Sequence, residues 1–119
     1  RPIRWIAPEI LHEGTFSARS DVYAFGMLLF EIWHSSRPWP RIDDYRKIEQ
    51  KLLDGKKHPD PTKGPEAVQT LVCDGCWVAS AQRLTMAEIV TALQSVRVQD
   101  EYGNPVEVEE YGNNVEIEE

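Results

Sequence analysis

Along the 119 residues, the strongest hydrophobic signal is SDVYAFGMLLFEIWH, from Ser20 to His34. Eleven of the twelve positions from Val22 to Trp33 are apolar or glycine, and only Glu31 is charged. A helix that is apolar on every side belongs in an interior. Crossing a bilayer needs roughly 18 or more uninterrupted apolar residues, so this run predicts the central core helix of a globular domain. Ser20 is its expected N-cap, and Asp21 stands where a carboxylate suits the positive end of the helix dipole.

The remaining pattern predicts shorter helices around that one. Arg1 to Trp5, with a proline and no helical period, reads as an extended loop. Pro8 and Glu9 open a short helix that Gly14 ends. SSRPWPRID, with two prolines close together, is a loop. Asp43 or Asp44 caps a helix whose apolar stripe is Tyr45, Ile48 and Leu52, ending at Gly55. KKHPDPTKGP is again loop. Pro65 and Glu66 start a helix with Val68, Leu71, Val72 and Cys76 on one face, closed by Trp77, and Gly75 weakens its last turn. Thr85 and Glu88 form a capping box ahead of Met86, Ile89, Leu93 and Val96. The expected fold is all-α, with no strand signal before residue 100.

Charge divides the chain unevenly. Residues 1–99 hold 13 basic and 12 acidic side chains, whereas Asp100 to Glu119 hold eight acidic and none basic, so the net charge of −7 belongs to the tail. The near-neutral body has no basic cluster, which argues against a nucleic-acid partner. The tail repeats with period nine, EYGNPVEVE then EYGNNVEIE. Its dense like charge favours disorder over an isolated hairpin. The expected division is therefore a domain over 1–98 and an acidic tail over 99–119.

Cys73 and Cys76 are too few for a disulfide scaffold and point to a reducing setting. As a CxxC pair they lack a second ligand pair, since His12, His34 and His58 are scattered, and core cysteines are the better account. No metal is expected. No signal peptide or membrane-spanning run is recognisable. Position 1 is arginine, and the opening residues read like the middle of something, so the chain is expected to be a fragment.

The motifs in order resemble the C-terminal lobe of a protein kinase of the tyrosine-specific kind, over about Arg1 to Val96. Ala7, Pro8 and Glu9 match the APE motif that ends the activation segment. PIRWIAPE resembles the Pro-x-Arg-Trp form of tyrosine kinases. SDVYAFGMLLFEIW is similar to the family's central helix, and Cys76-Trp77 and Gln82-Arg83 fall where its CW and Arg-Pro motifs occur. Leu84 replaces the usual proline, Trp39 replaces the tyrosine of the family's Pro-Tyr pair, and the glycine that usually precedes that pair is replaced in SSRPW.

The resemblance implies roles for single residues. Glu9 would pair with Arg83 as a bidentate carboxylate and guanidinium, with burial favoured over the alternative of a surface pair that would contribute almost nothing. Asp21 would anchor the backbone of the catalytic loop, and Leu28 and Ile32 would support the hydrophobic spine beneath ATP. Pro2, Ile3, Arg4 and Trp5 would form the platform for a substrate tyrosine. No GxGxxG, HRD or DFG occurs here, so catalytic residues are expected outside this stretch. ATP and Mg2+ are implied for the full kinase and none for the fragment. Partners implied are a protein substrate and the parent's N-lobe and catalytic loop; Tyr102 and Tyr111, set among glutamates with asparagine two residues on, resemble ligands of phosphotyrosine-reading adaptors, and the alternative for them is a solvated acidic tail that keeps the protein soluble. An intracellular location is implied, with or without a membrane anchor in the parent. The alternative is a non-catalytic, pseudokinase-like binding module acting through helices and tail.

Overall fold

The computed structural model describes residues 2–97 and 102–106. Its elements, in chain order, are a 3-10 turn at Ile3–Trp5, α1 (Pro8–Glu13), α2 (Ala18–His34), α3 (Tyr45–Leu53), α4 (Glu66–Thr70) running directly into a π-helical stretch at Leu71–Cys76, a 3-10 turn at Ser80–Gln82, and α5 (Met86–Gln94). Among the described residues no helix is long and apolar enough to cross a membrane. The second repeat of the tail lies outside the described residues.

The first departure from expectation is at the N-terminus of α2. Ser17, not Ser20, is the N-cap. The Ser17 hydroxyl accepts from the Ser20 amide at 3.2 Å, and the Ser20 hydroxyl accepts from the Ser17 amide at 2.8 Å. This reciprocal box satisfies two of the amides a helix start leaves unpaired. It draws Ala18 and Arg19 into the helix and leaves Ser20 buried. Ile3 to Trp5 is likewise a 3-10 turn and not extended, with Trp5 N donating to Pro2 O; one tight turn lets Arg4 and Trp5 face different neighbours.

The core forms on one face of α2. Val22, Tyr23, Met27, Leu29 and Phe30 are buried against Ile6, Ile10, Val68, Val72, Cys76, Trp77 and Ile89. The opposite face is open: Leu28 is 47% and Ile32 57% exposed. The expectation of burial all round is thus corrected to burial on one side. Residues 21, 28 and 32 fall on one stripe at helical spacing, and nothing in residues 2–97 is placed to cover it.

Two glycines set how closely the elements approach. A Cβ on Gly26 would lie 2.6 Å from Cys76 Cβ and 2.8 Å from Trp77 Nε1, so α2 meets the π-helical stretch through bare backbone. Gly75 does not simply weaken a helical turn. Trp77 N donates to Val72 O, five residues back, and the Gly75 carbonyl accepts from Leu84 N at 2.9 Å. The wider turn frees a carbonyl for the segment that leads into α5. The Leu84 side chain takes the space beside Gly75 that a Cβ would fill.

A smaller cluster of Trp39, Ile48 and Leu52 holds α3. Ile48 and Leu52 are buried, whereas Tyr45, expected on the same stripe, is 60% exposed. Asp44 is the cap, accepting from Arg46 N. His58 joins the two clusters: its ring lies 4.7 Å from Phe30, 4.9 Å from Trp39 and 4.8 Å from Trp77, centroid to centroid. Nε2 accepts from the Trp39 amide at 2.8 Å, and Nδ1 faces Pro59 O at 2.7 Å. That pairing requires the neutral ring with its proton on Nδ1. Burial is the main force lowering its pKa; the Pro59 carbonyl opposes this and His34 adds to it.

Gly26→Ala is a direct test of the α2 contact. Alanine gains up to about 1 kcal/mol of helix propensity over glycine, but overpacking costs about 1–3 kcal/mol. The Cys76 Cβ cannot rotate away, so the clash is expected to win. The denaturant midpoint of the 119-residue chain should fall; an unchanged or higher midpoint would refute the close approach.

Candidate functional site

Three features make up the candidate site. The first is the Glu9 and Arg83 pair, which joins α1 to the segment preceding α5 across 74 residues. Arg83 Nη1 donates to Glu9 Oε2 at 2.5 Å and Nη2 to Oε1 at 2.7 Å, the two-point fork that guanidinium and carboxylate geometry allows. The Arg83 side chain is 2% exposed and that of Glu9 19%. Arg83 Nε donates to Val78 O and Nη1 also to Arg19 O, each at 2.9 Å. Its guanidinium carbon lies 5.0 Å from the Tyr23 ring centroid. Burial pushes the Glu9 carboxyl up, yet its hydrogen bond to Arg83 and its own backbone amide outweigh this, and the net pKa is lowered.

The second connection runs from Pro2–Trp5 to the helices. Arg4 is buried, and its guanidinium donates to the carbonyls of Pro38, Trp39 and Ile42 at 3.0, 2.8 and 2.7 Å. Its charge is therefore used to fasten the bend after α2. Arg4, expected in the platform, thus turns its guanidinium into that bend. Trp5 Nε1 donates to the Glu31 carboxylate, which explains the one charge in the apolar run. Pro2 remains exposed and Ile3 and Trp5 are half-buried. Pro2, Trp5 and Asp21 share the wall of a small cavity of about 110 Å³ with Ile6, Ile10 and Phe16.

The third is the open stripe of α2. Asp21 is exposed in the first turn, followed on the same side by Leu28 and Ile32. The structure brings Asp21 together with Pro2 and Trp5 at one end, and carries Leu28 and Ile32 away from them along the helix. Tyr102 is 81% exposed; Tyr111 lies outside the described residues.

Cys73 and Cys76 are free, one half-buried and one buried. Burial, aided for Cys73 by Asp60, pushes their thiols up to about 11 and about 12, so both are protonated near neutrality and poor ligands or nucleophiles. Among the described residues no three His, Cys, Asp or Glu side chains converge to hold a metal ion. What these residues offer is positioning and an apolar face.

Residues that sequence reasoning passed over are Arg4 as a clamp, Glu31 as the partner of Trp5, and His58 as the acceptor for Trp39. A charge inside an otherwise apolar run was a usable signal for Glu31, because a carboxylate drawn even partly out of water needs a partner. Arg4 and His58 meet partners 19 or more positions away, and no local pattern marks them.

A family profile described as protein tyrosine and serine/threonine kinase matches residues 1–93. The chain is 36% identical over 94 residues, 77% of its length, to the mouse (Mus musculus) megakaryocyte-associated tyrosine-protein kinase. It is 33% identical over 106 residues, 87% of its length, to fibroblast growth factor receptor homolog 2 of Drosophila melanogaster. Over 97 residues, 80% of its length, it is 35% identical to human (Homo sapiens) ephrin type-A receptor 8. It spans 18% of the first of these proteins and 10% of each of the other two.

Breaking the ion pair should be costly. Arg83→Lys keeps the charge but loses the fork and the bond to Val78, and Glu9→Gln leaves a buried guanidinium without its counter-charge. Removing one partner of a buried pair costs about 3–5 kcal/mol, and the partial exposure of Glu9 argues for the lower end. Because the Glu9 pKa is lowered in the fold, its contribution is present above the ordinary carboxylate pKa of 4.5 and is lost as pH falls through the lowered value. Denaturant titrations at pH 7 and at acid pH should show the penalty of Glu9→Gln shrinking as pH drops. A penalty independent of pH would refute the charged pairing.

Proposed function

Since the chain belongs to the protein tyrosine and serine/threonine kinase family, we propose that it is the C-terminal part of a protein-tyrosine kinase catalytic domain, supplying the lobe scaffold and the substrate platform. The tyrosine specificity rests on PIRWIAPE and on relatives whose names carry that activity. The single observation that supports the platform is the clamped geometry at the start of α1. The Glu9 and Arg83 pair holds the APE segment, while Arg4 and Trp5 tie the preceding turn to the bend after α2 and to α2 itself. Pro2 is left as a flat apolar surface against which a tyrosine ring can lie. The exposed Asp21, Leu28 and Ile32 stripe is then where the catalytic loop and spine of the parent pack. ATP and Mg2+ serve the full kinase, inside the reducing interior of the cell; catalytic residues lie outside this stretch.

The tail supports a second role. Tyr102 is exposed, and each tyrosine is followed by Gly-Asn among glutamates. Phosphorylation of Tyr102 and Tyr111 would add roughly −1.5 to −2 charges each and three acceptor oxygens for an arginine pocket. The partner is a phosphotyrosine-reading adaptor. Peptides spanning 98–119 should bind such a domain only when phosphorylated; equal binding of the plain peptide would remove this role.

The kinase reading is tested on the full-length protein. With Mg-ATP and matched peptides, phosphate should appear on tyrosine and not on serine. Pro2→Ser should raise the peptide KM by roughly 10-fold, the effect of losing an apolar contact, with a smaller change in kcat. Preferred transfer to serine, or a Pro2→Ser variant indistinguishable from wild type, would overturn the assignment. The 119-residue chain alone should show no magnesium-dependent ATP binding by calorimetry.

A further inference from the structure

One depression lies apart from the platform and from the open stripe of α2. It is a groove of about 600 Å³ between the end of α2, the bend at Trp39 to Ile42, α3 and the connection from Lys57 to Thr62. Phe30 and Trp39 are its buried floor, Pro40, Ile42 and Pro59 its accessible apolar lining, and its rim carries Arg41, Lys51 and Lys57. All three cations are exposed. Among the described residues none of them has a carboxylate within salt-bridge distance; the ion pairs present use Arg37, Arg46 and Arg83. The groove's own acid, Asp60, sits against the Cys73 thiol. Trp39 has a φ of +55°, a left-handed backbone that a bulky residue rarely adopts. Its indole Nε1 is buried without a partner among the described residues. Strain and an unpaired donor at one residue are features that cluster at ligand sites.

The complementary charge is on the same chain. Residues 100–119 hold eight acidic and no basic side chains. Val96 and Arg97, at the end of residues 2–97, line a separate depression with Trp33 and Gly64. The adjoining residue His34, which lines the basic groove, accepts from the amides of Thr62 and Lys63 at 3.2 and 3.3 Å. From Arg97 the carboxylates of Glu107 to Glu110 are 10 to 13 residues away, a reach of up to about 33 Å or more in extended chain. We infer that this basic groove seats the chain's own acidic segment 107–119, its glutamates on Arg41, Lys51 and Lys57 and the alternating apolar residues of VEIE along Pro40 and Pro59. A tether of this length supplies an effective concentration on the order of millimolar, so contacts that would be weak between separate molecules suffice. The contact is electrostatic and surface-exposed, and salt weakens it.

The test uses the full 119-residue chain and a variant in which Glu107, Glu109, Glu110, Glu116 and Glu118 are replaced by Gln, leaving residues 2–97 unchanged. Backbone amide spectra are recorded at about 0.05 and about 0.5 M salt, where screening lengths differ severalfold, and at two protein concentrations. The amides of Arg41, Lys51 and Lys57 should shift with salt in the wild type, the shift should shrink several-fold in the variant, and neither should depend on protein concentration. A second variant, Lys51→Glu with Lys57→Glu, should move the tail resonances. Amides at the groove that ignore both salt and the tail substitutions overturn the inference. Shifts that grow with protein concentration place a second copy's tail there and overturn the assignment to the chain's own.

Discussion

The arrangement depends on one guanidinium. Arg83 is almost wholly enclosed, and a charge in that position is tolerable only if its donors are satisfied. Glu9 takes two of them, Val78 and Arg19 take others, and the Tyr23 ring lies against the plane. Arg19 in turn donates to the Ser80 and Arg83 carbonyls. The contact therefore ties α1, the first turn of α2 and the approach to α5 at one point. Lysine could not do this, because its ammonium lacks the planar fork.

The departures from the family's usual motifs have physical consequences here. Leu84, where a proline is usual, has an amide to donate, and it donates to Gly75 O. Its side chain fills the space above Gly75. Trp39, in the place of a tyrosine, is held by its amide on His58 and its carbonyl under Arg4. These two bonds bracket a left-handed residue and fix the bend that α3 packs against. Both substitutions are absorbed by neighbours within the same lobe.

The open stripe of α2 gives the molecule two contrasting sides. On one, Met27 and Ile89 are fully buried; on the other, Leu28 and Ile32 are about half exposed. A contiguous apolar strip of this kind marks a surface for packing, and its alignment with Asp21 gives it a polar end. The platform at Pro2 to Trp5 lies beside that polar end, so the two candidate features are held at fixed spacing by the rigid helix between them.

Sequence alone determined the helices, their order and the identity of the central one, because 3.6-residue periodicity and capping residues are local signals. Thr85 and Glu88 cap α5 as their spacing demanded, and Asp44 caps α3. The choice of Ser17 over Ser20 was open locally, since either serine can cap, and the reciprocal box decided it. Only the tertiary structure showed that Arg4 is an internal clamp, that Gly75 surrenders a carbonyl to Leu84, and that Leu28 and Ile32 of the apolar run face outward. Each of those depends on partners distant along the chain, and hydrophobicity says that a side chain can be buried without saying which neighbour buries it.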